Sequence, residues 1–506
     1  MARTFIPLKF VPLVLLSAWP AGLDGGYGQE AARQVPAEVA AGAIERALVE
    51  AISRAEKSVV AIGRVRRERP GERLIPEPRP DPFGNPRLFP TPPPQPTDPD
   101  FVPHEFATGV VVDPSGLVLT VAHILGEQSD YYVTAYDHRT FRARVLAADP
   151  RSDLAVLAPE ESSDVRPATG KFVPIRLGDA SRLQKGQWVV ALGNPYAIAR
   201  DGQASASWGI VANLARKAPP APDDSDPTGK PTLHHFGTLI QTDAKLNLGT
   251  SGGPLVNLQG EMVGLTTAIP AVVGFQESAG YAIPVDATFR RALEALKQGR
   301  EVEYGFLGIQ LGRAGIDQAA AEVLGARVER VLPDLPAARH GLKANDVIVS
   351  VHGTPVRDPD QLVREISKWP LESRVRLGVR RGEQTLDLEV PLTKYRVRGR
   401  KVVTNPAPAW RGMRVDYATA VYDPGSTLRA PGVALGDAVA ITDVEPNSPA
   451  SHAGLRPGML VTHVERLPVR TPKEFREAVS KHAGPVLLRV AAESGQPAVH
   501  TVGPGS

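Results

Sequence analysis

The chain has 506 residues, 42% of them hydrophobic and 22% charged, which is globular composition with room for roughly three or four domains. A formal net charge of +3 implies no strong electrostatic partnership with nucleic acid. Cysteine is absent, which removes disulfides, thiol catalysis and cysteine metal sites and leaves the compartment open.

The 49 prolines are about twice the usual share of roughly 5%, and they cluster where loops and linkers are expected. The chain opens with Arg3 and Lys9, then an apolar run over residues 10–19, then a Gly/Ala-rich stretch. Residues 1–28 read as a secretory signal, cleaved somewhere in 21–29. The run is too short and too proline-broken for a membrane span. Its retention as an N-terminal anchor is the alternative.

Residues 29–104 divide into three pieces. Ala40, Ile44, Leu48 and Ile52 recur at helical spacing, so 39–55 is expected to be one amphipathic helix. Residues 57–64 follow as a first strand. The proline-dense stretch 66–104, with Phe83, Phe89 and Phe101, reads as a long loop, either mobile or covering something.

From Phe106 the pattern turns to short β-type runs between turn residues. They fall at 109–112, 117–120, 131–135, 154–157, 188–192, 239–242, 262–267 and 281–283. Such spacing argues for an all-β barrel or sandwich. A helix after Val285, through Leu296, closes this region, which spans 105–300 together with the strand near residue 57. Further on, residues 336–366 align without gaps on 449–479, pairing Pro336 with Pro449, Ala337 with Ala450, Gly341 with Gly454 and Leu342 with Leu455. The period is too long for a solenoid. It implies two copies of a small domain, at 303–393 and 410–503, joined by the basic, proline-containing linker 394–409.

The stretch Gly249-Thr250-Ser251-Gly252-Gly253 sets a serine among glycines, which allow backbone angles and approaches that a Cβ forbids. Such a turn presents a hydroxyl beside convergent amides, as an acyl-transfer serine requires. Alone it reads equally as a glycine-rich turn. A base is supplied by His123, the one of eleven histidines placed at a strand end inside the β region. His104, His138, His234 and His235 stand in polar or loop contexts and read as surface. Asp153, heading an apolar run, is the expected orienting acid, because an imidazole N–H removes the cost of burying its carboxylate. Asp149 competes, although Asp-Pro favours a turn. The chain order His123, Asp153, Ser251 is the chymotrypsin order.

At this point the chain resembles the HtrA/Deg family of trypsin-like serine proteases with C-terminal PDZ domains. The blocks that carry the likeness are Thr120-Val-Ala-His123, Arg151-Ser-Asp-Leu-Ala-Val156, Ala191-Leu-Gly-Asn-Pro195 and Gln241-Thr-Asp-Ala244. They continue as Asn247-Leu-Gly-Thr-Ser-Gly-Gly-Pro254, Gly280-Tyr-Ala-Ile-Pro284 and Gly305-Phe-Leu-Gly-Ile309, in family order across about residues 105–495. The resemblance implies a mainly β molecule, a chymotrypsin-like double β-barrel followed by two PDZ domains. It assigns catalysis to His123, Asp153 and Ser251 and the oxyanion hole to the amides of Gly249 and Ser251. Two departures stand out. Thr250 replaces a usual Asn beside the nucleophile, and Ala107-Thr108-Gly109 replaces a usual Gly-Ser-Gly.

Lys245 and Leu246 include no acid for the floor of a trypsin-like pocket. If Leu246 lines that floor, as the matching family position does, small or medium aliphatic side chains are accepted; otherwise Leu246 is core. Leu265, Thr266, Thr267 and Ala268 are expected to pair with an extended substrate. In the first PDZ copy Gly305, Phe306, Leu307, Gly308 and Ile309 match the loop that holds a peptide's C-terminal carboxylate. Trp410 to Met413 matches it less clearly in the second. Either copy is alternatively a packing module only.

The resulting expectation is an exported serine endopeptidase of the periplasm or cell envelope. It acts on unfolded or damaged proteins, captures peptide C-termini, and forms homotrimers or larger assemblies. No cofactor, metal, nucleic acid or stable membrane span is expected. The rival is a proteolytically silent PDZ chaperone or adaptor on a protease scaffold, which Thr250 alone favours.

Overall fold

The computed structural model describes residues 37–67, 103, 105–160, 171–194, 203–218, 230–267, 280–312, 324–422, 433–491 and 497–504. The expected signal at 1–28, most of the 66–104 stretch, His104 and Ala268 lie outside them. Helix α1 runs Ala37–Ala55. The chain up to Arg46 forms one unit and the chain from Ala47 another. In the first unit Ile44 is exposed, against expectation. In the second, Ala51 and Ala55, one turn apart, are fully buried, with Leu48 and Ile52 half-buried. The small alanines, rather than the larger apolar residues, let the helix lie close to its neighbours.

Two closed six-stranded barrels follow. The first comprises β1 (Val59–Arg66), β2 (Glu105–Val111), β3 (Val118–Val121), β4 (Ser129–Ala135), β5 (Thr140–Asp149) and β6 (Leu154–Pro159). It closes through the β5–β6 pairing. The second comprises β7 (Trp188–Gly193), β8 (Ser205–Arg216), β9 (Leu239–Thr242), β10 (Pro254–Val256), β11 (Met262–Thr267) and β12 (Gly280–Pro284), in the order β10-β11-β12-β9-β8-β7.

Side chains alternate across a strand, and here both directions are buried. Val60, Val111, Val118 and Leu157 point into the first barrel, whereas their neighbours Val59, Val110, Leu119 and Val156 join a core shared with Val190, Val256 and Leu265 of the second. Continuous apolar runs therefore replace the polar alternation of a half-exposed sheet. Helix α2 (Ala287–Lys297), capped by Asp286 accepting from the Phe289 amide, adds Phe289, Leu293 and Leu296 to the shared core.

The first repeat contains β13 (Gly305–Phe306), β14 (Ile309–Leu311), β15 (Ala326–Val331), α3 (Pro336–Arg339), β16 (Val347–Val351), β17 (Thr354–Pro355), α4 (Pro359–Ser367), β18 (Arg374–Arg381), β19 (Gln384–Pro391) and β20 (Thr393–Lys394). After β21 (Val402–Val403), the second contains β22 (Met413–Tyr417), α5 (Ala418–Val421), β23 (Val439–Val444), α6 (Pro449–His452), β24 (Leu460–Val464), β25 (Leu467–Pro468), α7 (Pro472–Val479), β26 (Val486–Ala491) and β27 (Ala498–Val502). Their sheets share one order, β14-β15-β16-β18-β19 and β22-β23-β24-β26-β27. The repeated Pro-Ala…Gly-Leu has one cause in both. Proline starts a short helix, where its missing N–H costs nothing. Gly341 and Gly454 leave it at φ +84° and +76°, a region that glycine enters freely. Leu342 and Leu455 are then buried.

The linker expected at 394–409 is tied down at both ends. Strand β21 pairs with Ala147 and Ala148 of β5, and Thr404 Oγ1 donates to the Leu146 carbonyl at 2.7 Å. Lys394 is buried with Glu301, Glu303 and Asp416 around its ammonium at 2.9, 3.2 and 2.7 Å. Burial opposes that charge, and the three carboxylates more than offset it, so its pKa is raised. Among the described residues no helix is long and apolar enough to cross a membrane.

Candidate active site

The serine turn is built from close backbone approaches. Gly249 and Gly252 adopt φ +95° and +85°, the left-handed region. A Cβ at Gly249 would strike the Asn194 carbonyl and the Phe106 ring. At Gly252 it would strike the Thr108 carbonyl and the Thr120 hydroxyl, and at Gly253 the Leu192 carbonyl. Each glycine thus answers a particular collision, and Ser251 between them is 9% exposed.

Threonines hold the turn. The Thr108 amide donates to the Ser251 carbonyl at 2.9 Å. Thr108 Oγ1 donates to the Gly249 carbonyl at 2.7 Å and accepts from the Asn194 amide at 2.8 Å. Thr120 Oγ1 donates to the Thr108 carbonyl at 2.8 Å, three residues before His123. The departure at Thr108 is therefore a clasp between the two barrels at the serine turn. Thr250 braces the turn from within: its Oγ1 donates to the Asn247 carbonyl at 2.7 Å. The Thr250 carbonyl accepts from Thr266 Oγ1 at 2.6 Å and from the Gly253 amide at 3.0 Å.

His123 stands on a 3-10 turn, Ala122–Ile124, directly after β3. Asp153 ends the turn between β5 and β6 at φ +58°, a conformation that costs a non-glycine residue on the order of 1–3 kcal/mol. Its bonds hold it there. The Asp153 carbonyl accepts from the Ala122 amide at 3.0 Å, its Oδ1 accepts from the His123 amide at 2.9 Å, and its Oδ2 lies 2.8 Å from His123 Nδ1. The carboxylate thus takes both the backbone and the ring of one histidine, which fixes the ring and directs its Nε2 outward. Thr267 Oγ1 reaches Asp153 Oδ2 at 3.5 Å. One residue back, Thr266 exchanges backbone bonds of 2.8 Å with Gly252 and Gly253. The end of β11 therefore links serine turn and acid.

Electrostatics follow the contacts. Burial pulls the His123 pKa down, and the hydrogen bond and charge of Asp153 pull it up by more, so it is raised above 6.5. Burial works against the Asp153 charge, and the contacts with His123 and His234 outweigh it, holding this carboxyl well below the usual range. Asp149, the competing acid, is directed elsewhere. Its Oδ2 accepts from the Ser152 amide, Ser152 Oγ and Tyr304 Oη at 2.8, 2.6 and 2.5 Å.

Other expectations need correction. His234 and His235 are 6% exposed rather than on the surface, because the 3-10 turn Leu233–Phe236 packs between the Asp149–Asp153 turn and α4. Their apolar flanks Leu233 and Phe236 were the available signal. Strand addition at Leu265 and Thr266 is ruled out. Leu265 lies between Pro254 of β10 and Ile283 of β12, and Thr266 between Gly252/Gly253 and Ala282. Leu246 is half-buried against the second-barrel core. In the first repeat the Gly305–Ile309 stretch joins β13 to β14, with Leu307 in the core. Its Leu307 and Gly308 carbonyls accept from Ala337 and Leu332; those of Arg411 and Gly412 accept likewise from Ala450 and Glu445. The two loops are thus equivalent, with Arg411 standing where Leu307 stands. No cluster of three or more potential metal ligands occurs among the described residues.

Residues 107–265 match the family described as a trypsin-like peptidase domain, and 305–392 and 440–491 each match a PDZ domain. The chain is similar to a putative serine protease, HhoA, of Synechocystis sp., at 35% identity over 301 residues, 57% of this chain and 71% of that one. It is similar to a probable periplasmic serine endoprotease, DegP-like, of Brucella suis, at 30% identity over 379 residues, 74% of this chain and 68% of that one. Among solved structures it is similar to the HtrA-type protease AlgW with decapeptide, at 23% identity and a TM-score of 0.47, covering 68% and 98% of the two chains.

Proposed function

The chain belongs to the HtrA/Deg family of trypsin-like serine endopeptidases with PDZ domains, and from that premise we propose that His123, Asp153 and Ser251 are its catalytic triad. The observation that carries the proposal is the double grip of Asp153 on the amide and ring of His123, at 2.9 and 2.8 Å. In the mechanism Ser251 Oγ attacks the carbonyl carbon of a peptide bond while His123 Nε2 takes its proton. The amides of Gly249 and Ser251 hold the resulting oxyanion. The C–N bond breaks as His123 returns the proton to the leaving amine, and water then hydrolyses the acyl-enzyme by the same steps.

Leu246 at the edge of the second-barrel core supports a pocket for small or medium aliphatic side chains. An extended substrate pairs at Thr267, the last residue of β11, on the side away from its β12 partner Tyr281. The first PDZ repeat takes peptide C-termini at its Gly305–Ile309 loop. The relatives' periplasmic names and the basic-then-apolar N-terminus support export and a role on unfolded envelope proteins; assembly into homotrimers or larger rests on the family likeness. The test is Ser251→Ala, expected to lose on the order of a millionfold in turnover. Near-normal casein digestion by that variant would overturn the triad.

A further inference from the structure

A second imidazole lies against the triad carboxylate. His234, in the 3-10 turn Leu233–Phe236, is 6% exposed. Its Nε2 is 3.6 Å from Asp153 Oδ2, and neither ring nitrogen has a hydrogen-bond partner among the described residues. Its place is set by backbone bonds, not by surface chance. The Leu233 amide donates to the Arg151 carbonyl at 2.8 Å, two residues from Asp153, and the Ala218 amide donates to the His234 carbonyl at 2.9 Å. From outside, the Arg364 guanidinium of α4 donates to the Phe236 carbonyl.

A buried imidazole normally finds a partner. At 3.6 Å the contact is outside hydrogen-bond range, but active-site bonds are often long in the free enzyme and tighten with substrate. We propose that His234 is a positioning residue of the active site, its Nε2–H acting as a further donor to Asp153 Oδ2 beside His123 and the long contact from Thr267 Oγ1. A second imidazole on that oxygen fixes the plane of the carboxylate and divides its charge. Less of that charge then stabilises the His123 imidazolium, which keeps His123 a neutral base over a wider pH range. The other charged or titratable groups around this turn are Asp149, Arg151, Lys217, His235, Lys230, Asp360 and Arg364. Lys230 is paired with Asp360 at 2.9 Å, and Arg151 lies over the Tyr395 ring at 4.0 Å.

The inference rests on the reading of Asp153 as the triad acid. Its test is kcat and kcat/KM against pH, on a quenched fluorescent peptide, for the wild type, His234→Phe, His234→Gln, His234→Asn and Asp153→Asn. Losing the donor in His234→Phe moves the acid limb up by about half a pH unit and lowers kcat about tenfold with little change in KM. His234→Gln, whose amide nitrogen reaches about as far as Nε2, recovers most of both. His234→Asn, which falls short, behaves as His234→Phe and supplies the contrast if the phenylalanine variant fails to fold. An acid limb unmoved in His234→Phe or His234→Asn, or a His234→Gln no better than either, overturns the inference. Asp153→Asn separates the two failures. If it retains wild-type turnover the triad reading itself is wrong, whereas if it is inactive and the His234 variants are unshifted only the role of His234 is lost.

Discussion

Asp149 and Asp153 stand at the two ends of one turn, 1% and 6% exposed, and they are held in opposite states. Asp149 places three neutral donors on a single oxygen while its Oδ1 has no partner among the described residues. Burial outweighs those bonds and pushes its pKa up. Asp153 uses both oxygens on His123, a partner able to carry positive charge, and its pKa is driven down. Equal burial therefore does not give equal chemistry. The acid that faces an ionisable partner is held charged, as the orienting acid of the proposed triad must be, and the acid that faces hydroxyls is pushed toward its neutral form. Environments that push two neighbouring acids apart in this way are how one site separates its roles.

The largest way to break the comparison is to exchange the two acids' carboxylates for amides. Asp153→Asn is expected to lower turnover about ten-thousandfold, because an amide misorients the His123 tautomer, with an unchanged circular dichroism spectrum. Asp149→Asn keeps an acceptor for Ser152 and Tyr304, and turnover is expected to stay near that of the wild type. A smaller effect belongs to the Asp149 end alone. Tyr304→Phe removes a buried donor and is expected to cost about 1–3 kcal/mol of stability, read by urea denaturation, with little change in activity.

The smallest effect is the sign of the pH dependence. Asp149 has a raised pKa, so its contribution to stability is fully present below 3.8 and lost as pH rises through its folded value. Asp153 is the reverse, contributing above 3.8 and losing that contribution as pH falls. His123, raised from 6.5, stabilises the fold when protonated and loses this as pH rises through its folded value. Activity needs the neutral ring, so the acid limb of kcat/KM is expected above 6.5, where that part of the stability fades. Urea midpoints taken from about pH 4 to about pH 8 should fall less steeply with rising pH in Asp149→Asn than in the wild type.

Much of the candidate site was legible because each proposed member carries a local signature. Ser251 has its glycines, His123 its strand end, and Asp153 the apolar run of β6, which also separated it from Asp149 before the proline. The repeat was legible because one helix start and one left-handed glycine recur in both PDZ copies. What escaped depends on partners distant in sequence. His234 looked like surface until the turn bearing it proved to be covered by α4 on one side and the Asp153 turn on the other. Strand β21 is two residues long and has meaning only beside β5. The 12-residue β8 was not singled out, since its small and polar residues and two register shifts blur any alternation.

The most direct test of the account is the rate at which a fluorophosphonate labels Ser251 in Asp149→Asn and Asp153→Asn, measured side by side with peptide mapping of the modified serine. This rate reports the serine, its base and the orienting acid without reference to any substrate. The account predicts labelling at the wild-type rate in Asp149→Asn and labelling slowed by orders of magnitude in Asp153→Asn. Equal rates in the two variants, or the opposite order, would contradict it.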